Sequence, residues 1–238
     1  MSILDRPQRA ECQGRLSRGA LFLLTRTLAL LCAALTIGLL AHAQPLAIVT
    51  HADPPPGDLA DPIEALMAPG GQRVRVGRTT LEFWWVKTLP LTEESRGVSW
   101  TALADGTLAG AVTLSASYPD MRGQLVPAGS YTLRYVAQTE SDGRDSTIHT
   151  PGLLLSPVGD DDKTDALGRD DAEALAKQTP GASSPPAWRL TPASELTKLS
   201  RATDDPPASL TVTLPVSRDG MDVGALTFDV VLAGSVPK

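Results

Sequence analysis

RGQLVPAGSYTLRY, Arg122 to Tyr135, decides how this chain is read. Pro127 pre-sets φ for a turn, Gly129 tolerates positive φ, and from Tyr131 onward large apolar and polar side chains alternate. A period of two marks a half-buried strand, so Tyr131, Leu133 and Tyr135 are predicted to face a core. Thr132 and Arg134 then face water or a neighbouring element, and the Pro-Ala-Gly unit is an architectural corner feeding a core strand.

The same period recurs outward from this corner. LEFWWVK places Leu81, Phe83 and Trp85 on one face and Glu82, Trp84 and Val86 on the other; GAVTLSA aligns Val112 with Leu114; ALTFDVVL aligns Leu226, Phe228, Val230 and Leu232. QRVRVG, GLLLSP and SLTVTLP add three further strands, and Asp105-Gly106, Asp142-Gly143 and Asp219-Gly220 are hairpin-type dipeptides. About seven short strands with turn signals predict an all-β, antiparallel β-sandwich.

The ends and one insertion break the pattern. Residues 1–43 carry Arg6, Arg9, Arg15 and Arg18, an apolar run from Leu28 to Leu40, and small residues Ala41 and Ala43, the layout of a signal peptide cleaved before Gln44. The alternative is an uncleaved membrane anchor over residues 21–43, which Arg26 makes costly. A periplasmic or secreted location is expected. Residues 44–71 read as an extended arm holding one short helix, Pro62 to Ala68, with Asp61 as its N-cap and Pro69-Gly70 as its stop. Residues 72–238 form the β domain, interrupted at 159–186 by a charged, then Ala-rich, then Pro-rich insertion. Asp170 and Asp171 open a surface helix there and Pro180 ends it, with mobile flanks expected.

Charge and cysteine usage remove several function classes. The 238-residue chain has a net charge of −6; five of its 21 basic and two of its 27 acidic residues lie in the leader, leaving 16 against 25. That balance argues against a nucleic-acid partner, which needs a basic surface. Cys12 and Cys32 both lie in the leader, so the remainder has neither disulfide nor thiolate chemistry.

LEFWWVKTLPL, GTLAGAV, MRGQLVPAGSYTLRYVAQ and GLLLSPVGDDD together resemble a family of secreted bacterial β-proteins of unknown function, related to a domain-of-unknown-function group with a PAGxYxL hairpin. The resemblance covers Leu81 to Asp162 and implies a β-sandwich fold. Relatives show a histidine after the Asp-Gly turn and another before a C-terminal Pro-Ala. Here DGRDSTIHTP offers only the displaced His149 for the first, and Pro206 occupies the second place.

Candidate chemistry is sparse. His51 and His149 lack a partner at ligand spacing, and the acidic run Asp160, Asp161, Asp162, Asp165 lacks the alternation and central glycine of a calcium loop, so no metal or cofactor is expected. There is no G-x-S-x-G elbow and no phosphate loop. Trp84, which must leave the sheet opposite Trp85, is the sharpest lead: exposed, it could stack on a sugar or a partner; covered by the arm or the insertion, it is structural. Trp84, Arg134 and His149 are the candidate ligand-binding residues of a non-catalytic binding or structural module of the cell envelope, its ligand an envelope protein or a glycan. Membrane contact is expected only if the leader stays attached. The alternative is a periplasmic hydrolase with a site around His149, Asp142 and Asp145.

Overall fold

The computed structural model describes residues 47–92, 97–141, 147–192 and 208–233. The fold is mostly β. Its strands are β1 (Ala47–His51), β2 (Gly71–Val76), β3 (Thr79–Trp85), β4 (Leu89–Pro90), β5 (Leu108–Leu114), β6 (Tyr118–Pro119), β7 (Leu125–Val126), β8 (Gly129–Ser141), β9 (Thr147–Pro157), β10 (Ala187–Thr191), β11 (Ala208–Arg218) and β12 (Met221–Ala233). Two α-helices are described, α1 (Asp61–Glu64) and α2 (Arg169–Ala176).

All seven expected strands form, but they do not divide into two hydrogen-bonded sheets. One ten-stranded sheet runs β1-β2-β3-β5-β8-β9-β10-β12-β11-β4, antiparallel except for the parallel β4–β11 pair, and β6 and β7 form a separate ribbon. The stitch is β10. Arg189 pairs with Gly152 on one side and with Val231 on the other, joining strands that would otherwise belong to separate layers. Periodicity missed β10 because AWRLT is too short to show it.

The sheet is open, with β1 and β4 as its ends. It is nonetheless strongly coiled. Flat, β3 and β12 would lie roughly 24 Å apart, five strand spacings, yet the Trp85 and Phe228 rings meet at 5.7 Å. Between them Phe83 stacks on Trp85 at 5.5 Å and touches Trp188 at 5.7 Å, while Trp100 lies on Tyr135 at 5.8 Å and Phe228 at 5.0 Å. Burial raises the phenol pKa of both Tyr118 and Tyr135 to about 12.

Local chemistry explains the turns. At the β11–β12 hairpin Asp219 and Gly220 both take positive φ, 52° and 75°, the combination a two-residue hairpin demands. The β8–β9 ladder extends to Ser141 and Thr147, while its Asp142-Gly143 tip lies outside the described residues. Asp105-Gly106 makes no hairpin: Gly106 N–H donates to the Tyr135 carbonyl at 2.7 Å, and Asp105 accepts from Ala137 N–H and Arg169 Nε.

The short helix is shorter than predicted. It spans Asp61–Glu64 with Ala60, not Asp61, at the N-cap. Strand pairing wins over the rest, since Met67 bridges Val86 and Ala68 N–H donates to the Trp85 carbonyl at 2.7 Å. The insertion contains the expected helix, and its C-terminal flank makes specific hydrogen bonds to the sheet and to the β6–β7 turn: Thr179 Oγ1 donates to Leu155 O, Leu155 N–H to Pro186 O, and Gln124 Oε1 accepts from the Ser183 and Ser184 backbone N–H groups.

Candidate functional site

The Pro-Ala-Gly corner is built for shape. Gly129 opens β8 at φ 149°, a backbone state that side-chain-bearing residues rarely adopt, and Tyr131 reaches back to donate its hydroxyl to Pro127 O at 2.9 Å. Tyr131, Leu133 and Tyr135 enter the core as predicted.

On the other side of β8 the side chains are equally buried. Trp84, Ala111, Thr132 and Ser156 form one cross-strand row through β3, β5, β8 and β9, and all four are buried. Two different segments cover that face.

Over β3 lies the N-terminal arm. Trp84 is 3% exposed; its Nε1–H donates to Asp53 O at 3.1 Å, and its ring meets His51 edge-on at 5.4 Å. His51 Nδ1 stands 3.2 Å from Asp53 Oδ2 without the alignment of a hydrogen bond. Trp84 is therefore a packed residue beneath its own chain, which removes the surface platform that would have stacked a sugar.

Over β8 lies the insertion. Arg134 is fully buried: Nε donates to Asp161 Oδ2 at 2.8 Å, Nη2 to Asp161 Oδ1 at 2.7 Å and to Lys163 O, and Nη1 to Gly106 O at 2.7 Å and Asp165 O at 3.2 Å. Those bonds use every guanidinium donor, and Thr132 Oγ1 adds a 2.6 Å bond to the same Asp161 carboxylate. Arg134 has nothing left to offer a ligand and acts as a clamp. Next to it, Asp162 lies exposed, 3.0 Å from Lys163 Nζ, whose hydrogen bond and charge hold its carboxyl below the usual range. Among the described residues no group of three His, Cys, Asp or Glu side chains is placed to hold a metal ion.

His149 sits on β9 opposite Thr139, and its side chain, with Asp142 and Asp145, lies outside the described residues. The structure does not bring Trp84, Arg134 and His149 to one place: Trp84 is under the arm, Arg134 under the insertion.

What the structure does assemble is a cleft of about 640 Å³ at one end of the coiled sheet. Leu66, Val86, Leu91 and Leu108 give it apolar walls, and Lys87, Thr88, Thr164, Asp165 and Ser217 give it polar ones. The pairing of β4 with β11 shapes one side, with Leu91 N–H donating to Ser217 O at 2.8 Å. The Arg134 clamp shapes the other, because two of its acceptors, Lys163 O and Asp165 O, flank Thr164. Lys87 Nζ donates to Ala65 O at 2.8 Å, which leaves two ammonium protons for a ligand. The sequence hid this site because its walls come from separate segments with no shared spacing; only the lone lysine ending LEFWWVK stood out from its neighbours.

No family model, curated protein or solved structure matches the chain. Among the described residues no helix is long and apolar enough to cross a membrane.

Proposed function

We propose that this is an exported cell-envelope protein that works as a non-catalytic binding module, with the cleft between β4 and residues 164–166 as its ligand seat. One observation carries the reading: the cleft combines apolar walls with hydroxyl-bearing residues, one lysine and one aspartate, and among the described residues is lined by neither histidine nor cysteine. Apolar walls with a few polar groups are the make-up of a surface that orients a bound ligand. No aromatic side chain lines it either, which favours a peptide segment of an envelope protein over a glycan. Export is supported by the leader pattern of residues 1–43. We read the coiled sheet as two facing layers, β3-β5-β8 against β12-β11, a sandwich-like arrangement supported by the Trp85–Phe228 contact. Membership of the secreted β-protein family with the PAGxYxL hairpin is part of the same proposal.

The test is a titration of the protein with panels of short peptides and oligosaccharides, followed through backbone amide resonances. Shifts at Thr88, Thr164 and Ser217, abolished by Ala104→Trp, support the seat. Silence across both panels leaves only a structural role.

A further inference from the structure

We infer that β1 is an interface between two copies of this chain, each adding its β1 antiparallel to the outer edge of the other. The proposal is independent of the cleft. It begins from the difference between the two ends of the sheet. The β4 end is guarded: β4 has two residues, one of them Pro90, and Pro215 removes a donor from β11 beside it. The β1 end carries none of these guards. AIVTH contains no proline and no Asp, Glu, Lys or Arg, and it pairs with β2 through all five residues without a bulge.

Because β1 is the last strand at its end of the sheet among the described residues, every second residue turns its N–H and C=O away from β2 with no described strand to receive them. Two apolar side chains flank that edge on alternate faces, Ile48 at 44% and Val49 at 57% exposed. The edge is also held in place. His51, at the end of β1, packs on Trp84, and Trp84 binds the carbonyl of Asp53 just beyond it, so the strand is presented rigid and little ordering is needed on pairing.

The occupant that fits is a second β1. Antiparallel pairing centred on Val49 sets Val49 against Val49 of the other copy and Ile48 against Thr50, bringing apolar and β-branched residues together with no like charges opposed. A twofold pair of this kind is closed, because the guarded β4 end cannot continue the ladder.

Sedimentation velocity of the exported protein, from about 1 μM to about 1 mM, reads the equilibrium across the range of a small interface. The expected result is a concentration-dependent dimer. Val49→Lys, which opposes two lysines across the twofold axis, should weaken it about tenfold or more, while Val223→Lys, at another exposed valine, should leave it unchanged. Circular dichroism checks folding, and Ile48→Lys replaces Val49→Lys should the latter unfold. A monomer throughout the range, a dimer insensitive to the β1 lysine, or growth into larger assemblies would each overturn the proposal.

Discussion

The arm over Trp84 and the insertion over Arg134 cover the same face of the same sheet by different chemistry. The arm brings His51, the Asp53 carbonyl, Ile63 and Met67, so over Trp84 its contact is packing plus one indole hydrogen bond, with a half-exposed Arg73–Asp53 ion pair and backbone bonds at Leu66 and Ala68 alongside and no buried charge. The insertion brings the Asp161 carboxylate and the Lys163 and Asp165 carbonyls to a fully buried guanidinium, and the segment before β5 adds the Gly106 carbonyl. Beside that clamp α2 adds only small contacts, Ala172 and Ala176 against Val136 and Leu154. A packed cover tolerates trimming; a buried charge tolerates no loss of its partner. Both covers reach the cleft, the arm through Leu66 and the clamped loop through residues 164–166.

The comparison breaks most readily at Asp161. Asp161→Ala strands a buried guanidinium, and chemical denaturation should show a loss of about 3–5 kcal/mol; adding Arg134→Met removes the stranded charge and should recover part of that loss, with the Gly106, Lys163 and Asp165 carbonyls left without their donor keeping recovery incomplete, and a loss below about 1 kcal/mol for Asp161→Ala would refute the clamp. On the arm side, Gly71→Ala sets a Cβ 2.3 Å from Phe83 O and 2.9 Å from His51 Nε2, so the start of β2 must move away from β3 and the His51 ring must give. The same unfolding measurement should read about 1–3 kcal/mol, the range for overpacking. Trp84→Phe keeps most of the bulk and loses only the bond to Asp53, so about 1 kcal/mol is expected, and a loss as large as that of Asp161→Ala would mean the arm is clamped too.

The smallest effect at neutral pH concerns the core beneath both covers. Tyr118 and Tyr135 ionise at about 12 in the folded chain, against about 10 when unfolded. Between those values the unfolded chain releases protons that the folded chain retains, so their stabilisation is complete below about 10 and is lost as pH rises toward about 12. Phenolate absorbance followed beside circular dichroism should show these two tyrosines titrating only as the fold opens; ionisation well below that window would place them nearer water.

Which residues form strands was legible because alternation over LEFWWVK, SYTLRYVAQ and ALTFDVVL is a local property of the chain. The corner was legible because Pro127 and Gly129 act on their own backbone. What covers each face was not local. Thr132 and Arg134 read as polar positions, and the pattern cannot distinguish water from a carboxylate returning from position 161. Trp84 fell between two readings for the same reason, until the arm was seen above it. The single coiled sheet was missed because β1, β4 and β10 are too short to carry a period, although β10 alone determines whether there are two ladders or one. The cleft inherits all of these gaps, being made where the β3–β4 connection, the start of β5, the clamped loop and β11 converge.

The parallel pairing of β4 with β11 has a consequence in time. The first strands can zip together in order as each emerges, but Leu89 must wait for Val216, which is synthesised after every strand from β5 to β10. One wall of the cleft therefore appears only when the last hairpin docks. A polypeptide that stopped before β11 could form the β1-β2-β3-β5-β8-β9 part of the sheet and would still lack that wall.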